Sequence, residues 1–97
     1  MNTRFTWDAE KAARNRVKHR VSFELAMRVF ADPFALTSQD RVEDGEMRWQ
    51  TLGAVEGYTL LVVAHTVQDD EGAEVIRIIS ARRADRTERR HYEDGNR

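Results

Sequence analysis

Val75-Ile76-Arg77-Ile78-Ile79-Ser80-Ala81-Arg82-Arg83-Ala84 is a β-branched apolar run that ends in an arginine cluster. Such a run reads as a strand, and this one leads straight into the charge. Arginines at 77, 82, 83, 86, 89 and 90 face only Asp85 and Glu88, so six minus two gives the segment a formal charge of +4. A guanidinium on a stiff strand is held in place, and its planar fork of donors matches the oxygens of a phosphate. The plainer reading of Arg86, Arg89 and Arg90 is a solvated helix face with surface ion pairs. Arg77 lies inside the apolar run, so it needs either a groove or a carboxylate such as Glu74 or a loop acid.

Upstream, Met47 to Val55 and Tyr58 to Val67 read as antiparallel strands around a Glu56-Gly57 turn. Gln68 to Ala73 reads as an acidic loop, and Glu74 to Ala81 as the last strand. By simple alternation Ile76, Ile78 and Ser80 share one face, and Val75, Arg77 and Ile79 the other. Apolar residues on both faces mean that both are partly covered. Further upstream, Phe5-Thr6-Trp7 suits a short edge strand. Asp8 and Ser22 suit N-caps of helices over Ala9 to Lys18 and around Leu25 to Phe30, and Asp32-Pro33 stops the second. Phe34 to Thr37 reads as a brief strand before a polar acidic loop. Ala84 to Glu93 reads as a terminal helix, with Asp94 to Arg97 frayed. This order predicts a single α+β domain over residues 1–97: an antiparallel sheet, two N-terminal helices and one C-terminal helix.

Composition agrees. The chain has 97 residues, 40% hydrophobic and 34% charged, which suits one modest core under a charged surface. It has no cysteine, and the histidines at 19, 65 and 91 lack a short metal-ligand spacing, so neither a disulfide, a metal nor another cofactor is expected. The longest apolar run is Leu60 to Ala64 and nothing resembles a signal peptide, so a cytoplasmic protein with no membrane partner is expected. A net charge of −1 argues against nucleic-acid binding, but the charges are segregated. Lys11, Arg14, Arg16, Lys18 and Arg20 form a second basic block, while Asp40 to Glu46 and Asp69 to Glu71 are acidic. A small domain so divided can present one positive face.

Residue types then suggest a chemistry. RNA is cleaved without metal when its 2′-hydroxyl attacks the adjacent phosphate. That step needs a base, an acid for the leaving oxygen, and cations for the developing charge. His65, near the end of a central strand, is either a buried, satisfied ring or a proton-transfer group at the rim. Lys18-His19 either complements the dipole at a helix C-terminus or takes part in proton transfer, and Glu24 has the matching choice at a helix N-terminus. Tyr92 reads as a packing residue.

The opening Phe5-Thr6-Trp7-Asp8, Lys11-Ala12-Ala13-Arg14-Asn15 and Lys18-His19-Arg20-Val21-Ser22-Phe23-Glu24 resembles the BrnT toxin family. So do Phe30-Ala31-Asp32-Pro33, Arg48-Trp49-Gln50-Thr51-Leu52-Gly53, Leu61-Val62-Val63-Ala64-His65-Thr66, Arg77 to Ala84 and Glu88 to Glu93, in order. The resemblance implies a RelE-like fold and an endoribonuclease toxin of a type II toxin–antitoxin pair. It also implies a BrnA-type antitoxin, RNA as substrate, and DNA engaged only through the antitoxin. It places the polar signature on Lys18, His19, Glu24, His65, Arg77, Ser80, Arg82 and Arg83. Lys18, His19, Glu24, His65 and Arg77 are then the catalytic candidates, and Ser80, Arg82 and Arg83 bind substrate. Arg20 departs from the glycine that the family usually carries after Lys-His. A non-catalytic basic module that acts through its antitoxin as a co-repressor is the alternative.

Overall fold

The computed structural model describes residues 2–56 and 59–95. The elements are β1 (Thr3–Thr6), α1 (Ala9–His19), α2 (Phe23–Met27), a 3-10 turn (Arg28–Ala31), β2 (Leu36–Glu43), β3 (Glu46–Val55), β4 (Thr59–Asp70), β5 (Ala73–Arg83) and α3 (Arg86–Gly95). One five-stranded sheet runs in the order β1-β5-β4-β3-β2. β2 to β5 are antiparallel as expected, but β1 pairs parallel to β5, from Thr3 opposite Glu74 to Thr6 opposite Arg77, so the sheet is mixed. Alternation reports faces and not direction, and this pairing spans nearly the whole sequence, so the expected purely antiparallel sheet is corrected here.

Both helix starts are capped as the sequence predicts. The Asp8 carboxylate accepts from the Glu10 and Lys11 amides, and the Ser22 hydroxyl accepts from Leu25 N. The second helix is shorter than expected: five residues of α-helix give way to the 3-10 turn, which ends at extended Asp32 before Pro33. α3 starts later and runs further than the sequence suggested, and Asn96 and Arg97 lie outside the described residues. β2 is also longer, because Asp44-Gly45 forms a two-residue hairpin with φ of 54° and 76°. Glu71-Gly72 repeats that turn at 52° and 85°, so the expected acidic loop is mostly strand. The Glu56-Gly57 turn lies partly outside the described residues.

Two apolar clusters flank the sheet. Val21, Phe23, Ala26 and Val29 pack on Leu61, Val63, Ile76, Ile78 and Ala81. On the opposite face Leu52, Leu60 and Val62 lie under Ala54, Ala84 and Tyr92. Each large side chain so buried contributes roughly 1.5–3 kcal/mol. Gly53 lets the 3-10 turn approach closely, since a Cβ there would lie 2.8 Å from Val29 Cγ1 and 3.2 Å from its carbonyl oxygen. β5 carries a bulge: Ala64 pairs with Ser80 and His65 with Ile78, leaving Ile79 over. Simple alternation therefore fails beyond Ile78. Ala81 takes the helix-covered face with Ile76 and Ile78, while Ser80 and Arg82 join Arg77 on the other.

Candidate functional site

The face opposite α1 and α2 is covered at one end by α3 and open at the other. Arg48 of β3 and Arg77 and Arg82 of β5 all project from it. Each is tethered by one carboxylate. Arg77 meets Glu46 at 2.5 Å with its side chain 44% exposed. Arg82 grips both oxygens of Glu88 at 2.8 Å. The Glu88 bond raises the Arg82 pKa further, and the same bond holds the Glu88 carboxyl below its ordinary range. Arg48 reaches Glu43 at 3.4 Å, and its Nε is buried with no hydrogen-bond partner. Arg48 was missed from sequence, although Met47-Arg48-Trp49 carries the signal that singled out Arg77: a cation inside an apolar run.

At the rim of this face α1 lies along the edge of β5. Lys11, Arg14, Asn15, Lys18 and His19 line a shallow depression of about 370 Å³ with Ile79 and Ser80. Lysines and arginine three or four residues apart share one helix face, which is why these three cations converge. Buried Asn15 fixes the contact. Its Nδ2 donates to the carbonyls of Val21 and Ala81 at 2.9 and 2.8 Å, and its Oδ1 accepts from Ala81 N at 3.1 Å. It thus bonds to β5 as a neighbouring strand would, just past the point where β1 stops. Arg20 closes α1 in the left-handed conformation, φ 59° and ψ 31°. That geometry favours glycine, the residue the sequence resemblance leads one to expect there.

The other sequence candidates sit apart. His65 is 1% exposed on the helix-covered face, edge-on to Phe30. Its Nε2 meets Thr51 Oγ1 at 2.8 Å, and Thr51 Oγ1 meets Thr37 Oγ1 at the same distance. Burial pushes its pKa down, and the bond to the Thr66 carbonyl opposes this only in part. Glu24 is exposed in the first turn of α2, and Arg83 is exposed at the end of β5. Among the described residues no three His, Cys, Asp or Glu side chains cluster to hold a metal. Nor, among the described residues, is any helix long and apolar enough to cross a membrane.

Fold and site together define a class: a small α+β domain with a helix-backed sheet whose free face is studded with arginine. A family model described as "Ribonuclease toxin, BrnT, of type II toxin-antitoxin system" matches residues 7–88. The chain belongs to this BrnT family of ribonuclease toxins, and membership implies an antitoxin partner. The 1.1 Å crystal structure of the Brucella abortus ribonuclease toxin BrnT superposes with a TM-score of 0.62 at 21% identity, covering 89% of this chain and 100% of that one. At that identity the likeness speaks for the fold. A search of curated proteins found no match.

Proposed function

We propose that this chain is a metal-independent endoribonuclease that cleaves RNA in the cytoplasm and is silenced by a BrnA-type antitoxin. The RelE-like description of its fold belongs to the same reading. The observation that carries it is the sheet face shared by Arg48, Arg77 and Arg82, where Arg77 and Arg82 are partly exposed and Arg48 is mostly buried, bordered by Ser80 and the Lys18-His19 rim. An RNA strand on this face exchanges the carboxylate tethers of the arginines for its own phosphates. The 2′-hydroxyl oxygen attacks phosphorus and loses its proton, and the departing 5′-oxygen gains one. Lys18 and His19 are the proton-transfer groups, and the guanidinium forks neutralise the charge that builds on the phosphorane. His65 supports the sheet in this reading, and Glu24 and Arg83 take peripheral contacts.

The test is cleavage of RNA by the purified protein in EDTA. It should leave 2′,3′-cyclic phosphate and 5′-hydroxyl ends. Lys18→Ala, His19→Ala and Arg48→Ala should each lose on the order of 100-fold in rate while remaining folded. Loss of cleavage in EDTA would refute metal independence. The co-repressor reading draws on the exposed Arg86, Arg89 and Arg90 of α3, which have no carboxylate partner among the described residues. Reversal of Arg14, Arg16 and Arg89 to glutamate should weaken antitoxin binding.

A further inference from the structure

Between α3, the start of β2 and the middle of β3 lies a cleft of about 360 Å³ that the phosphate chemistry leaves unused. We propose that it is a nucleobase subsite, which selects the base at one position of an RNA lying on the arginine face. This rests on the reading of the chain as a ribonuclease. The volume falls at the lower end of the roughly 300–1,000 Å³ typical of small-ligand sites. Its floor is Leu52 and Val62, and Leu36 of β2 and His91 of α3 bound it on two sides. Buried apolar side chains beside an imidazole suit the face of a planar ring. Thr37 and Glu88 are already bonded to Thr51 and Arg82, while Ser38 and Gln50 each carry both a donor and an acceptor. Neither side chain has a hydrogen-bond partner among the described residues, although Gln50 is half-buried. Their hydrogen-bonding capacity is therefore free for the edge of a base.

The cleft also joins the cationic face at two points. Gln50 stands two residues from Arg48 on the same side of β3, about 7 Å along the strand. That is comparable to the span from a phosphate to the base of its own nucleotide. Glu88 lines the cleft and is the carboxylate that tethers Arg82. A phosphate on Arg48 or Arg82 thus delivers its base to this opening. A free anion would gain nothing from the apolar floor, which is why a base is the occupant.

The experiment is an NMR titration with the four 3′-nucleoside monophosphates, with ribose 5-phosphate as the phosphate-only control. The nucleotides should shift the Gln50 side-chain amide and the His91 ring with unequal affinities, and the control should not. Gln50→Leu should weaken the preferred nucleotide about tenfold and flatten the base preference at cleavage sites, and His91→Ala should weaken stacking of all four. Equal binding of ribose 5-phosphate, or an unchanged base preference in both variants, would overturn the subsite. The titration needs no turnover. A chain that binds the bases but cuts no RNA refutes the ribonuclease reading alone. One that cuts RNA with the Gln50 and His91 signals unmoved refutes the cleft alone.

Discussion

Arg20 shows how a single residue can be read against its backbone. A side chain in the left-handed region costs roughly 1–2 kcal/mol relative to the right-handed one, and glycine avoids most of that. Arg20→Gly should therefore stabilise the chain by about 1 kcal/mol and raise Tm by several degrees, visible in a thermal melt. His65 makes a second prediction, through pH. Its folded-state pKa lies below the ordinary 6.5, so the unfolded chain takes up the proton first as pH falls. Its share of stability is complete above pH 6.5 and is lost as pH drops toward the folded value. Melts at pH 7.5 and 5.5 should show a decline in wild type that His65→Gln lacks; equal declines would remove His65 as the cause.

At the scale of elements, α3 is held mainly by polar latches. Asp85 Oδ1 accepts from Glu88 N, Glu88 Oε1 accepts from Asp85 N, and Arg82 adds its fork to the same carboxylate. Near the other end the Tyr92 hydroxyl donates to Asp32 at 2.7 Å, and burial together with this bond pushes the Tyr92 pKa up to about 12. Glu88→Ala should release the first latch at a cost of roughly 1–2 kcal/mol, with faster amide exchange across Arg89 to Glu93. Much of this scale was legible in sequence. Asp8 and Ser22 announced their helices because capping is local chemistry, and Asp85-x-x-Glu88 carries the same kind of signal. β2 was under-read because Ser38 to Glu43 is polar apart from the exposed Val42 and lies on an edge, where no apolar alternation is required. The side of the sheet taken by Ser80 was misread because one extra residue at Ile79 reverses every face beyond it. The candidate site was legible as residue types, but their division between an open face, a rim and the core depends on tertiary packing.

Over the whole molecule, charge is sorted by position more than by count. The hairpin tips at Asp44 and Glu71 lie at one end of the sheet, so acids gather there, while Arg82, Arg83 and Arg86 gather toward the other. Such a gradient orients an approaching polyanion despite a net charge of −1. If three phosphates sit on Arg48, Arg77 and Arg82, log affinity for single-stranded RNA should fall with log salt at a slope of about −2. Replacing all three by Gln should flatten the slope; an unchanged slope would place the phosphates elsewhere. The two margins of the sheet also differ in their capacity for self-association. Beyond β1, Asn15 occupies the β5 hydrogen-bonding groups at Ala81, so that stretch of β5 takes no further strand and only the short β1 is left open on this margin. β2 has no such stopper, only the bulge at Asp40 and the charges of Arg41 and Glu43. The eight-residue β2 is thus the longer open edge for strand exchange between copies, against four residues in β1, and deleting Asp40 should first appear as concentration-dependent light scattering.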